Sequence, residues 1–483
     1  MDEKISRRAF VGSVPAMAAV PAMAAQQSPP ARSAGSPNIL LVICDQMRAD
    51  ALGALGNPNA RTPNLNRMAR QGLMFDNCYS NSPVCIPSRK TLFSGLYPHQ
   101  HGTLTNQQNT FLGSKDTMIG HFRKQGYRTG YFGKNHTFTK EALNDIDKVA
   151  IRDREPFREY NSWSTPWWYS SNFWPKERCH PHLNTEDAIE FLRTQPKNER
   201  FFLTVSYFDP HPPYFAPPDY VLRRDPNTIQ VPEYTSPDAM TPRLGEFSRA
   251  MGLESMSDAD LKLALHHYHA AIEWGVDQQV GRLLDTLDRQ SLTKDTIVLF
   301  IADHGDFGGH GNLLGKAMFL HDSLLHVPMI WWAPGRIPQG VRRTSATQLC
   351  DVFPTLMELT GSAVPPQLAG RSLKALLQHE DQAPPDRTIL TSAAYGRVDF
   401  AKLPEGADET ALHTRVLRFA MNPKYRTSMA RTNEWKLILN EEGPPELYNV
   451  NGGHMETVNL ADRREYASVR RGMEQNLTQW WKW

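Results

Sequence analysis

Three stretches of the chain are almost continuously apolar: Asn38-Ile-Leu-Leu-Val-Ile-Cys44, Phe201-Phe-Leu-Thr-Val-Ser-Tyr207 and Thr296-Ile-Val-Leu-Phe-Ile301. A strand with one wet face alternates, so unbroken runs suit strands covered on both faces of a parallel sheet. Between the second and third runs, Leu261, Leu265, Tyr268, Ile272, Val276, Val280, Leu283 and Leu287 keep a period near that of a helix, and Ser257-Asp-Ala-Asp260 supplies a capping-box start. Strands alternating with helices predict an α/β doubly wound sheet.

The pattern changes towards the C-terminus. Arg426-Thr-Ser-Met-Ala430 and Trp435-Lys-Leu-Ile-Leu439 read as a hairpin around Arg431–Glu434, and Pro445-Glu-Leu-Tyr-Asn449 reads as a further strand. A polar-faced helix from Asp462 to Trp480 follows. We expect residues 390–483 to form a small antiparallel α+β domain beside a larger one over 37–389. The chain carries no internal repeat.

Charge narrows the functional classes. Lys and Arg total 53 against 51 Asp and Glu, a net +2, which argues against a nucleic-acid partner. Five cysteines in 483 residues cannot form a disulfide framework, and Cys44 and Cys350 read as core positions. Residues 1–25 read as an address: Ser6-Arg7-Arg8-Ala9-Phe10 precedes a mildly apolar run ending in Ala22-Met-Ala24, as in a twin-arginine export signal. Residues 26–36 read as a linker. No other stretch is long and apolar enough for a membrane span, so the expected location is periplasmic or secreted, reached through the twin-arginine export machinery.

Candidate chemistry gathers where the apolar runs end. In open parallel sheets, ligands bind beyond the carboxyl ends of the strands. Those ends carry Asp45-Gln46, Asp209-Pro-His211 and Asp303-His304. One aspartate after one strand is more readily a helix N-cap than a ligand. Paired donors after two strands point instead to a metal or acid–base site: Asp45 and Asp303 offer carboxylates, Gln46 an amide oxygen and His304 an imidazole nitrogen. In Cys85-Ile-Pro-Ser-Arg89, Pro87 suits the first turn of a helix, which puts Cys85 at its electropositive end, though composition alone favours a buried Cys beside an ordinary helix start.

Cys85-x-Pro-Ser-Arg89 followed by Leu96-Tyr-Pro-His99 resembles the signature of the formylglycine-dependent sulfatases of the alkaline phosphatase superfamily. Further motifs occur in the family's order: Thr62-Pro-Asn-Leu65, Gly133-Lys-Asn-His136, Asp209-Pro-His-Pro-Pro-Tyr214, Ala302-Asp-His-Gly305, Leu314-Gly-Lys316, Val327-Pro-Met-Ile330 and Glu446-Leu-Tyr-Asn449. The resemblance implies a large mixed, mostly parallel sheet flanked by helices, with a smaller C-terminal antiparallel α+β domain. It implies a sulfuric ester hydrolase, acting on a sulfated saccharide or a small sulfate ester, whose Cys85 is converted to 3-oxoalanine (formylglycine) by a formylglycine-generating enzyme, the hydrated aldehyde attacking sulfur. Asp45, Gln46, Asp303 and His304 would then hold a divalent cation. Arg89 would orient the nucleophile, Lys134 and Lys316 would neutralise sulfate oxygens, His211 would protonate the leaving alkoxide, and His136 would assist release of sulfate.

Two departures bear on that expectation. Many members carry Asp where this chain has Gln46 and Asn where it has His304. Ca²⁺ is the expected cation, while Mn²⁺ or Zn²⁺ would accept the imidazole more readily. The same variants resemble members that cleave phosphonate monoesters and phosphodiesters, a second reading. A catalytically silent relative that binds sulfated glycans is a third. Trp163, Trp167, Trp168 and Trp174, with Tyr160, Tyr169 and Phe173, form either a wall for a sulfated saccharide or an aromatic minicore.

Overall fold

Strand β1 (Asn38–Asp45) runs through the middle of the molecule with every residue buried, as its unbroken apolar run predicts. The computed structural model describes residues 35–152, 169–170, 175–395 and 425–482, apart from 109, 254–255, 379–386, 452–455 and 457. The export-type segment 1–25 and the four tryptophans of the aromatic segment lie outside the described residues.

An eight-stranded sheet is built from β1, β2 (Leu73–Phe75), β3 (Arg128–Gly133), β4 (Lys148–Ile151), β5 (Phe201–Pro210), β6 (Thr296–Ala302), β7 (Met329–Trp332) and β8 (Val341–Arg343), in the spatial order β8-β2-β7-β6-β1-β5-β3-β4. β1 pairs in parallel with both β5 and β6, and β7 alone runs against its neighbours. The sheet is therefore mixed and mostly parallel, as expected. Its centre is dry: Ile39 to Ile43 and Val298 to Ile301 are all fully buried. Each such side chain contributes about 1.5–3 kcal/mol relative to exposure.

The predicted long helix is one rod in three parts. Asp258–Ala271 is α-helical, Ile272–Asp277 is π-helical and Gln278–Arg289 is α-helical again. Ser257 and Asp260 form the capping box at its start. The apolar ladder takes three successive four-residue steps, from Tyr268 through Ile272 and Val276 to Val280, the spacing a widened turn needs. Gly275 lies in this widened turn, where an added Cβ would sit 2.7 Å from the Asp209 Cγ. At the far end of the π segment, Asp277 caps helix α1 (Pro63–Gln71), accepting from the backbone N–H groups of Asn64 at 3.2 Å and Leu65 at 2.8 Å.

Beyond the large sheet, β9 (Ile389–Tyr395), β10 (Tyr425–Arg431), β11 (Trp435–Asn440) and β12 (Glu446–Asn449) form the antiparallel sheet that the hairpin pattern predicts. Side chains alternate between its faces. Met429, Ile438 and Tyr448 pack towards Tyr79, Leu320 and Leu325, whereas Ala430, Leu437 and Leu447 meet Met473 and Leu477 of the last helix. That helix begins at Ala467, not Asp462, after a short turn at Arg464–Tyr466. Leu460 N–H is bonded to the Leu447 carbonyl at 2.8 Å, which ties residues just before it to the sheet and delays the helix.

Candidate active site

The carboxyl ends of β1 and β6 meet. Asp303 N–H donates to the Cys44 carbonyl at 3.1 Å, and Gln46 N–H donates to Asp303 Oδ1 at 3.1 Å. Gln46 turns the chain with φ 69°, a left-handed conformation unusual outside glycine. Tyr268 holds that turn, its hydroxyl donating to the Gln46 carbonyl at 3.0 Å. His304 Nδ1 lies 2.9 Å from the Gly305 carbonyl, and a carbonyl only accepts. In the neutral ring the proton is therefore on Nδ1, and Nε2 presents its lone pair 3.5 Å from Asp45 Oδ1.

A helix running Cys85–Ser94 (α2) brings the thiol into this crossing. Cys85 Sγ lies 3.0 Å from Lys316 Nζ, 3.2 Å from His304 Nε2, 3.6 Å from Lys134 Nζ and 3.7 Å from Asp45 Oδ1. One turn further on, Arg89 is wholly buried and bridges both carboxylates: Nε donates to Asp303 Oδ2 at 2.6 Å and Nη2 to Asp45 Oδ2 at 3.3 Å. Its remaining arm donates to Ser206 Oγ on β5 at 2.7 Å. Lys134 also donates to Asp45 Oδ2. It follows Gly133, whose φ of 106° and lack of Cβ let β3 close on the Ser206 carbonyl; an added Cβ would lie 2.0 Å from that oxygen.

The electrostatics follow from this crowding. Burial pushes the Asp45 carboxyl up, but Lys134, Lys316, His211 and Arg89 outweigh it and hold the group well below the usual carboxylate range. Burial and Asp45 likewise push the Cys85 thiol up, and Lys134, Lys316 and His304 reverse the effect, leaving it well below an ordinary thiol. Asp303 is raised by burial and by Asp45. Asp209, which ends near the same crossing, is pushed up to about 7 by burial and by the Asp45 charge.

The other candidates are placed around this core. His136 contacts the Cys85 thiol, and burial with the Lys134 charge lowers its pKa. His211 is buried, packs against Phe208 with ring centroids 4.5 Å apart, and acts on Asp45 through its charge. Gln46 is tied to Asp303 by its backbone, while its side-chain amide donates to Asp306 Oδ2 at 2.6 Å. Asp306, Ser206 and Tyr268 carry no local signal in the sequence. Ser206 hides inside an apolar run, and Tyr268 reads as one rung of the helical ladder.

The residues present fit a divalent cation. Ligand atoms of Asp45, Cys85, Asp303 and His304 lie within 4.8 Å of one another, all buried. Gln46 Oε1 is buried with no hydrogen-bond partner, as suits an oxygen held for a ligand. Carboxylate and amide oxygens with one imidazole make a mixed, mainly hard donor set.

The family model described as Sulfatase matches residues 37–362. The chain is 28% identical over 397 residues to an arylsulfatase of Clostridium perfringens, covering 71% of this chain and 79% of that one. Its fold is similar to that of a phosphonate monoester hydrolase from Silicibacter pomeroyi, with a TM-score of 0.76 at 22% identity over 92% of this chain and 94% of the other. It is also similar to a protein solved with its substrate D-glucosamine-2-N,6-O-disulfate, with a TM-score of 0.71 at 20% identity over 92% and 97% of the two chains.

Proposed function

The chain belongs to the sulfatase family of hydrolases, and on that premise we propose that it cleaves sulfate esters of a saccharide, using a formylglycine made from Cys85 and a divalent cation held by Asp45, Gln46, Asp303 and His304. One observation carries this reading: a buried sulfur surrounded at 3.0–3.7 Å by two lysines, a histidine and an aspartate, at the start of a helix. Ca²⁺, Mn²⁺ or Zn²⁺ would polarise a sulfate oxygen and favour ionisation of a hydroxyl beside it. Formylglycine in its hydrated form offers a nucleophilic hydroxyl together with a second one that permits release of sulfate.

The chain's own groups do the rest. Arg89, Lys134 and Lys316 set three cations against the two carboxylates of Asp45 and Asp303, so the pocket favours an oxyanion. Lys134 and Lys316 bracket the nucleophile position and face the sulfate oxygens. Arg89 keeps both carboxylates in place through a rigid, always-charged fork. His211 delivers a proton to the leaving alkoxide, and His136, against position 85, takes one as sulfate departs.

The saccharide part of the reading is supported by the similar protein solved with a sulfated glucosamine. Tyr169 and Ser170, described residues of the aromatic segment, pair with Tyr214 and Phe215 just beyond His211. Conversion by a formylglycine-generating enzyme and export through the twin-arginine machinery to the periplasm or beyond belong to the same proposal. Among the described residues no helix is long and apolar enough to cross a membrane.

A phosphonate monoester or phosphodiester is the second reading, favoured by the Gln46 and His304 donors. Such esters present the same single negative charge to the same cations. Mass spectrometry of the peptide containing Cys85, from exported protein, together with turnover of an aryl sulfate and an aryl phosphodiester, separates the possibilities. We expect an aldehyde at position 85 and a kcat/KM for the sulfate at least about tenfold higher, ~1.4 kcal/mol of transition-state stabilisation. Full turnover by protein with an unmodified thiol overturns the nucleophile assignment. Faster cleavage of the diester replaces the sulfate reading by the phosphoryl one.

A further inference from the structure

We infer that Asp306 is a positioning residue that fixes which atom of Gln46 faces the metal site, and that it locks the loop presenting Lys316 to the same end. The inference rests on the metal-binding reading above and concerns a residue outside the proposed ligand set. Asp306 is fully buried, and four donors converge on its carboxylate. Oδ2 accepts from Gln46 Nε2 at 2.6 Å and from the Tyr214 hydroxyl at 2.7 Å; Oδ1 accepts from the N–H of Gly308 at 2.7 Å and of Gly315 at 3.1 Å.

The consequence for Gln46 is stereochemical. A side-chain amide has one donor end and one acceptor end. Asp306, whose carboxylate also accepts from Tyr214, Gly308 and Gly315, takes the donor end, so the acceptor end is turned the other way. Gln46 Oε1 is indeed the buried atom left without a partner. Were the amide reversed, two oxygens would face each other at hydrogen-bond distance and an N–H₂ group, which cannot ligate a cation, would occupy the position of Oε1. The carboxylate thus selects the ligating orientation.

The other bonds tie this choice to the remaining site. Gly315 precedes Lys316, and its N–H bond to Asp306 acts together with the Phe307 N–H bond to the Gly315 carbonyl at 2.8 Å to close the neck of the loop. The turn inside the loop uses Gly308 at φ 56°, where a Cβ would lie 2.3 Å from Arg48 Nη1. Tyr214 lies three residues after His211, so its hydroxyl brings the segment carrying the proposed acid to the same carboxylate. One side chain therefore registers Gln46, Lys316 and the His211 segment against one another.

The test is a charge swap read by metal binding. Full-length exported protein, stripped of metal, is titrated with Ca²⁺ and with Mn²⁺ against a chelating dye, for wild type, Asp306→Asn, Gln46→Glu and the double variant. Asp306→Asn puts a donor opposite the Gln46 donor, and we expect about 10–100-fold weaker binding, the range typical of lost outer-sphere partners. With Gln46→Glu in place the sign reverses: two carboxylates oppose each other in that variant, and adding Asp306→Asn restores a donor–acceptor pair and tightens binding relative to Gln46→Glu alone. Loss of affinity from Asp306→Asn in both backgrounds, no change in either, or failure of both Asp306→Asn proteins to fold while Gln46→Glu folds would reduce Asp306 to a brace for the loop and overturn the inference. Wild type that binds neither cation would instead overturn the metal reading itself.

Discussion

Among the described residues, two clusters of buried and half-buried charge differ in what they leave unfinished. The C-terminal sheet docks through one of them. Lys436, fully buried, donates to Asp322 Oδ1 at 2.9 Å and Glu456 Oε1 at 2.7 Å, Arg431 Nε donates to Asp322 Oδ2 at 3.0 Å, and Asp322 N–H donates to the same Glu456 oxygen at 2.7 Å. Opposite charges alternate and the set closes on itself. In the crossing of β1 and β6, by contrast, two carboxylates are held side by side, a sulfur is pressed among cations, and an amide oxygen lacks a partner. Burial of charge is common to both clusters and identifies neither. The crowding of like charges around the Cys85 sulfur, with the Gln46 amide oxygen spare, is what the proposed chemistry needs and what the docking cluster lacks.

The contrast is sharpest in opposite responses to substitution. Cys85→Ala should lower kcat/KM by at least ~10⁴-fold, the scale of losing a covalent nucleophile, while unfolding free energy changes by only about 1 kcal/mol for the small volume removed. Steady-state kinetics and urea unfolding on the same preparations measure both. Lys436→Met should do the reverse. It strands the buried Glu456 without its cation and leaves the half-buried Asp322 to Arg431 alone, a loss of about 3–5 kcal/mol in stability, with kcat of the surviving folded protein close to wild type. A Lys436→Met protein that keeps its stability but loses turnover would break the division between docking and chemistry.

What could be read from the sequence follows the same line. Unbroken apolar runs identify β1, β5 and β6, and Pro87 with Cys85 identifies the start of α2, because each signal is local. The polar residues at the strand ends could be named as candidates, since the ends of parallel strands converge. Asp306 could not be found this way: its partners Gln46, Tyr214 and Gly315 are scattered along the chain and only the folded sheet assembles them. The π turn was latent in the four-residue steps around Ile272, yet its reason, the close approach of Gly275 to Asp209, is a tertiary contact. The late start of the last helix has the same origin, in backbone bonding of Leu460 to β12.

Acid should separate the two clusters by a smaller margin. A cavity of about 470 Å³ next to the C-terminal dock is lined by His310, His321 and His326 together with Arg48, Asp322 and Arg431. Burial lowers all three imidazoles, and His310, whose Nε2 lies 2.6 Å from Arg48 Nη2, is pushed down to about 3 by burial and by that cation. His304 in the other cluster is raised instead: burial and Lys316 lower it, and the Asp303 carboxylate and Cys85 together outweigh them. A histidine depressed in the folded state stays neutral while its unfolded counterpart, near 6.5, takes up a proton. The unfolded chain then binds more protons, and stability falls as pH drops below about 6.5, by up to about 1.4 kcal/mol per pH unit for each such group. Asp209 at about 7 and Asp277 at about 6 work against this, because there the folded state holds the extra proton. Urea unfolding at pH 7.5, 6 and 5 should show a net decline, and His310→Asn should flatten it by about one proton's worth of slope. A pH slope that His310→Asn leaves unchanged would mean that His310 is not held neutral beside Arg48, and that the two clusters respond to protons alike.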